Sequence, residues 1–161
     1  MQFQFTETMR GRVVKPDSIR LSFEFTITAQ ARGYIAYALG DPLDVSGTAS
    51  LEEVATRVPV TGFLHIAMPL SRQLRYDLSF RTQDGALYRY MGRKNVRYLR
   101  FFRTMSWLKG TLFRNGELMG QAELWFDYRG LLSFILSFRP GILPVLWHAV
   151  HRLRLLQLVR G

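Results

Sequence analysis

Four side chains stand out as candidates for chemistry: one carboxylate, Glu7, one amine, Lys94, and two phenols, Tyr76 and Tyr88. In an extended strand, side chains two residues apart lie on the same face, so Glu7 shares a face with Phe5 and is expected to point into the core. An ionised carboxylate in a core is costly unless it is paired. Glu7 is therefore expected to have a cationic partner.

Lys94 is the predicted partner of Glu7. It shares the parity of Tyr88, whereas Arg10, which is nearer to Glu7 along the chain, has the wrong parity. We predict a buried or rim ion pair between Glu7 and Lys94, with Tyr76 and Tyr88 adding hydroxyl donors. A structural role is expected for this pair in preference to a catalytic one, because buried ion pairs also occur as structural elements. The same four residues are the candidate ligand-binding residues.

Common catalytic motifs and metal-binding patterns are missing. The chain has no Cys, no pair of glycines spaced as GxG and no G-x-S-x-G elbow. Its three histidines, His65, His148 and His151, have no metal-binding spacing with a carboxylate, and no Asp or Glu follows Asp127. No cofactor and no metal site are predicted, and binding is favoured over catalysis.

Positive charge is concentrated in the second half of the chain. Residues 1–84 hold nine Lys/Arg and nine Asp/Glu, whereas residues 85–161 hold thirteen Lys/Arg and three Asp/Glu. A block of this kind favours an anionic partner such as phospholipid, nucleic acid or an acidic protein, although a basic solvated surface without a partner would look the same. The residues expected to face such a partner are Arg89, Arg93, Arg97, Arg100, Arg103 and Lys109.

The elements that position these side chains are mostly strands. Residues 19–30 alternate strictly between apolar and polar side chains, and residues 74–81 repeat the pattern before a turn at Asp84-Gly85. About ten strands are predicted, at 2–10, 19–30, 33–39, 44–51, 58–68, 74–81, 87–94, 104–113, 117–127 and 130–139. The expected fold is all-β and mainly antiparallel, as a lipocalin-like barrel or a sandwich.

The chain is expected to form a single domain over residues 1–161, with the barrel or sandwich at 1–139 and an amphipathic helix at 142–160. That helix suits packing on the barrel, a homodimer interface or insertion into a membrane surface. Neither a signal peptide nor a transmembrane helix is predicted. We expect a cytoplasmic protein, with peripheral membrane attachment as the alternative, and do not rank monomer against homodimer.

Several short segments resemble a known domain family. They are Phe5-Thr6-Glu7-Thr8-Met9-Arg10-Gly11, Tyr76-Asp77-Leu78-Ser79-Phe80, Asp84-Gly85, Tyr88 and Gly92-Arg93-Lys94. This pattern, over about residues 3–127, is similar to a β-rich accessory domain found beside cholesterol-oxidase-like enzymes of the glucose-methanol-choline oxidoreductase family and in stand-alone bacterial relatives. The sequence has no GxGxxG motif, so their flavin chemistry is not implied.

The resemblance implies a lipid- or sterol-related setting and a barrel that holds an apolar molecule. Glu7, Gly92 and Lys94 match the family pattern. After Lys94 the sequence departs from it, because arginines replace the expected acidic and Trp-Asp-type residues. The family's partner is therefore not carried over to this region, and the departure suggests an adaptation to an anionic surface.

These observations lead to three functional hypotheses. The first is a non-enzymatic barrel that binds an apolar, acyl or sterol-like ligand and docks on an anionic membrane or a partner. The second is an enzyme that acts on a lipid-like substrate with Glu7 as acid or base. The third is nucleic-acid binding by the basic, aromatic block between Arg89 and Arg114.

Overall fold

A computed structural model gives the structure of the protein and describes residues 4–33, 40–67, 73–95 and 107–127. These residues form eight strands: β1 (Gln4–Val14), β2 (Arg20–Gln30), β3 (Leu43–Leu51), β4 (Ala55–Ala67), β5 (Gln73–Arg81), β6 (Leu87–Asn95), β7 (Trp107–Arg114) and β8 (Glu117–Phe126). Within these ranges no helix is long and apolar enough to cross a bilayer.

The eight strands form one closed antiparallel barrel in chain order. Each strand pairs with the next, and β1 closes the ring by pairing with β8, as in the opposition of Met9 and Phe126. This last pairing decides between the two predicted architectures, because a sandwich would leave β1 and β8 at sheet edges. For the described residues the all-β, antiparallel prediction is confirmed, and the barrel fits the lipocalin-like expectation in its coarse form.

Strict alternation explains why β2 forms a strand with one buried face. Phe23, Phe25 and Ile27 are buried, and the residues between them are exposed. On the outside, Thr26 and Thr28 of β2 hydrogen-bond to the threonines opposite them on β1, at 2.9 and 2.8 Å. Cross-strand pairs of this kind stabilise the register.

Four short turns lie at one end of the barrel, which we call the hairpin end. They connect the strands pairwise at residues 15–19, 52–54, 82–86 and 115–116. Asn115 and Gly116 both have positive φ, at 49° and 84°, which suits the type I′ turn expected of an Asn-Gly hairpin. The opposite end, where β1 begins and where β2, β4 and β6 end, is called the far end.

Side chains fill the barrel towards the hairpin end. Phe23 is the central residue of an aromatic cluster in this part of the barrel. Its ring centroid lies 6.2 Å from that of Phe80 and 5.5 Å from that of Tyr90. Phe25 contacts Tyr90 at 5.9 Å and Tyr76 at 6.3 Å. Aromatic contacts of this geometry stabilise a folded protein by more than the burial of their surface area alone. The cluster therefore forms a rigid base for the side chains that lie between it and the far end.

Eight of the ten predicted strands are present, with shifted bounds. The first strand continues to Val14, because Gly11 and Val13 extend the inward-facing series beyond the predicted end at residue 10. The other two predicted strands, 33–39 and 130–139, and the predicted helix at 142–160 lie outside the described residues, as do Arg97, Arg100 and Arg103.

Candidate functional site

An ion pair crosses the inside of the barrel near its far end. The Lys94 Nζ atom lies 3.0 Å from the Glu7 Oε2 atom and donates a hydrogen bond to it. The residues are only 1% and 4% exposed. Their strands, β6 and β1, are not neighbours in the barrel, so the pair joins opposite parts of the wall. The predicted pairing of Glu7 with Lys94 is confirmed.

Tyr76 of β5 is the first phenol of the site. The Lys94 Nζ atom lies 5.0 Å from the centroid of its ring, within the range of a cation–π contact. Burial raises the pKa of Tyr76 well above its ordinary value of 10.0, and the negative charge of Glu7 raises it further. Tyr76 is therefore a neutral hydrogen-bond donor over the physiological pH range.

Tyr90 of β6 is the second phenol of the site and is not among the site residues predicted from the sequence. Its side chain is fully buried, and its hydroxyl has no hydrogen-bond partner among the described residues. Burial raises the pKa of Tyr90, and the charge of Glu7 adds to this shift. The Oε1 atom of Glu7 is also buried and, within the described part of the chain, accepts no hydrogen bond.

Two glycines make room for Tyr90. Gly92 and Gly110 face each other on β6 and β7, and the Tyr90 ring lies against both. A Cβ atom on Gly92 would lie 2.6 Å from the Tyr90 oxygen, and one on Gly110 would lie 2.5 Å from the ring. The phenol therefore extends along β6 in the direction of Lys94. A glycine at an inward-facing position beside a tyrosine is a sequence signal that could have identified Tyr90.

Tyr88 does not belong to this cluster, contrary to the prediction. It shares a face with Lys94 but lies six residues earlier on β6, about 20 Å away along the strand. Its ring stacks on Phe80 at 5.2 Å, near the hairpin end. There, burial raises its pKa, and Arg114 and Asp84 are the charged groups that act on it. Parity predicts the face of a side chain but not its height in the barrel.

The site therefore offers acceptors and donors for an oxygen-containing group. Glu7 provides a free acceptor atom, and Tyr90 provides a hydroxyl that can donate and accept. Lys94 has three N–H donors, and its hydrogen bond to Glu7 uses one of them. Among the described residues no group of three His, Asp or Glu side chains is placed to hold a metal ion.

Three of the predicted anionic-surface residues, Arg89, Arg93 and Lys109, lie in the described part of the chain, on the outer wall of the barrel. Arg89 binds Asp77 through two hydrogen bonds of 2.8 and 2.6 Å, so its charge is compensated. Arg93 and Lys109 lie directly opposite each other on β6 and β7 and are exposed. Lys109 has a more distant carboxylate, since its Nζ atom lies 3.9 Å from Glu123 Oε1, whereas Arg93 forms no salt bridge among the described residues. Arg93 is therefore the best candidate of the three for contact with an anionic partner.

Comparison with protein-family models, curated proteins and solved structures finds no match. The resemblance to the oxidoreductase accessory domain therefore stays a prediction from the sequence.

Proposed function

We propose that this protein binds a small, mostly apolar molecule inside the far end of the barrel and holds the polar end of that molecule at Glu7, Lys94, Tyr76 and Tyr90. The observation that carries the proposal is the pair of unsatisfied buried atoms, Glu7 Oε1 and the Tyr90 hydroxyl. Eight-stranded barrels have room for side chains or for one small ligand, which suits this reading.

A purely structural ion pair would be expected to satisfy its own polar atoms. Burying a charged pair costs several kcal/mol per ion by general estimates, and this cost is offset only when hydrogen bonds satisfy the remaining atoms. Here the carboxylate uses one oxygen for Lys94, while the other has no partner in the described residues. A ligand group that hydrogen-bonds to this oxygen would complete the site.

The chemistry of the free atoms favours a hydroxyl group on the ligand. A hydroxyl donates to Glu7 Oε1 and accepts from Tyr90 or Lys94 at the same time. A carboxylate cannot donate to Glu7 when ionised, and it would add a negative charge to a pair that is neutral overall. The proposed ligand class is therefore an apolar alcohol, such as a sterol-like or long-chain alcohol, in preference to a fatty acid.

Binding is favoured over acid–base catalysis at this site. An efficient catalytic acid or base has a pKa near the working pH, whereas burial raises the pKa of Tyr76 and of Tyr90 away from neutrality. Both phenols are thus suited to donate hydrogen bonds and not to transfer protons. The enzyme hypothesis keeps Glu7 as its candidate and needs turnover that Glu7→Gln abolishes.

The first test is native mass spectrometry of the purified protein, followed by organic extraction and titration with a long-chain alcohol and the fatty acid of equal length. We expect one bound molecule per chain and at least tenfold tighter binding of the alcohol, about 1.4 kcal/mol in free energy. Absence of any bound apolar molecule in both experiments would contradict the proposal.

Matched variants locate the binding site. Tyr90→Phe removes the unsatisfied hydroxyl at the site, and Tyr88→Phe makes the same chemical change near the hairpin end. We expect Tyr90→Phe to weaken alcohol binding about tenfold and Tyr88→Phe to leave it unchanged, since one hydrogen bond contributes about 0.5–1.5 kcal/mol. Equal effects of the two changes would place the ligand elsewhere.

A further inference from the structure

Three exposed cations form a row across the outer wall near the far end. Arg75 of β5 lies opposite Arg93 of β6, and Arg93 lies opposite Lys109 of β7. Neighbouring strands are about 4.8 Å apart, so the three residues span roughly 10 Å. We call Arg75, Arg93 and Lys109 the cation row.

The charge of this row is compensated only in part by the described residues. Lys109 has a carboxylate within reach, since its Nζ atom lies 3.9 Å from Glu123 Oε1. Arg75 donates a hydrogen bond to the amide of Gln73, and in the described part of the chain neither Arg75 nor Arg93 forms a salt bridge. Like charges directly opposite each other destabilise a sheet, so an external anion would relieve this arrangement.

Two tryptophans extend the same outer surface. Trp107 of β7 and Trp125 of β8 lie directly opposite each other and are 43% and 42% exposed. The Lys109 Nζ atom lies 4.1 Å from the centroid of the Trp107 ring, which joins the tryptophan pair to the cation row. Tryptophan and basic side chains together are typical of surfaces that lie at the boundary between lipid headgroups and acyl chains.

We propose that the cation row and the tryptophan pair form a docking surface for an anionic phospholipid membrane. The cations would contact lipid phosphates, and the indoles would enter the headgroup region. Nucleic acid fits this surface less well, because Lys109 lies over the Trp107 ring, where a base would have to stack. This proposal does not depend on the ligand site inside the barrel.

Vesicle flotation with the full chain tests the proposal. The probes are vesicles of phosphatidylcholine alone and vesicles that also contain phosphatidylglycerol, each at low and high salt. We expect binding only to the anionic vesicles and a marked loss at high salt. Equal binding to both vesicle types, or binding to a single-stranded oligonucleotide but to neither vesicle, would overturn the proposal.

Two double variants with the same change in charge locate the surface. Arg93→Gln with Lys109→Gln removes two cations from the row, and Arg20→Gln with Arg81→Gln removes two exposed cations at the hairpin end. The first pair should weaken vesicle binding roughly 10- to 30-fold, and the control pair less than threefold. A similar loss from both pairs would show a nonspecific charge effect and overturn the assignment.

The tryptophans are tested separately by fluorescence. The double variant Trp107→Phe with Trp125→Phe keeps Trp147 as the only indole of the chain. We expect the wild-type protein to show a blue shift with anionic vesicles and this variant to lose most of that shift, with folding checked by circular dichroism. A full shift in the variant would move the contact to the region of Trp147 and contradict the proposed surface.

Discussion

The tyrosines of the site combine burial with proximity to a carboxylate. For Tyr76 and Tyr90, burial is the largest cause of the raised pKa, and the charge of Glu7 acts in the same direction. Both effects favour the protonated phenol. A group whose pKa is raised by folding makes stability depend on pH, so this feature can be measured without any ligand.

We predict that the protein loses stability above pH 10 through these two residues. In the unfolded chain tyrosine ionises near its ordinary pKa of 10.0, whereas folded Tyr76 and Tyr90 keep their protons. The stabilisation is therefore complete below that pH, and above it falls by about 1.4 kcal/mol per pH unit for each residue. Urea unfolding between pH 9 and 11 measures the slope, and Tyr76→Phe or Tyr90→Phe should each reduce it. Unchanged slopes in both variants would contradict the prediction.

The sequence predicted the polar pair but not the whole site. Glu7 and Lys94 were found because each has the parity of a buried strand face and an ionised group there needs a partner. Parity does not distinguish Tyr90 from Tyr88, since both tyrosines share the buried face of β6 with Lys94. The register between β6 and β7, with Gly110 opposite Gly92, shows where the phenol has room.

At the level of the strands, several glycines allow neighbouring backbones to approach closely. Gly62 of β4 is the clearest case, because a Cβ atom there would lie 1.9 Å from the backbone oxygen of Asp77 on β5. A backbone atom in a paired strand cannot move aside without shifting the sheet. The glycine is therefore required by the packing of β4 on β5.

We predict that Gly62→Ala destabilises the barrel by about 1–3 kcal/mol, the usual cost of overpacking. Gly33→Ala is the matched control, since a Cβ atom at Gly33 meets nothing within 4 Å. The control should leave the free energy of unfolding unchanged or slightly higher. Denaturant unfolding of both variants measures the difference, and equal stabilities would show that β4 and β5 can separate at little cost.

Most strand ends were predicted close to their observed positions, and the largest difference is at the end of β1. The segments that became β2, β5 and β6 were placed within a residue or two of their observed bounds. In β1 the inward-facing position after Met9 is Gly11, which has no apolar side chain to mark a buried face. The continuation of the strand to Val14 was therefore not predicted. Closure of the ring could not be predicted, because it depends on pairing between strands about a hundred residues apart.

For the whole molecule, the Glu7–Lys94 pair acts as a link across the barrel. It joins residues separated by 87 positions and replaces apolar contact in a core that is otherwise largely hydrocarbon and aromatic. Removal of one partner leaves the other charge buried without compensation. The free energy of unfolding should therefore fall strongly when Glu7 or Lys94 is replaced alone, and only a little when both are replaced together.

We predict that Lys94→Met lowers the free energy of unfolding by about 3–5 kcal/mol. The double variant Glu7→Gln with Lys94→Met should recover most of this loss, since no buried charge remains. Thermal and urea unfolding measure both variants. If the single variant were as stable as the wild type, water or another group would have to compensate Glu7, and the assumed dry environment would be wrong.

The order of the strands also constrains how the chain folds. Seven of the eight strand pairs join consecutive strands, and four of them are closed by short turns. These hairpins form in microseconds and need little loop closure, whereas the β1–β8 pair brings together distant parts of the chain. The meander can therefore assemble progressively from its hairpins, with joining of the first and last strands as the late, entropically costly step.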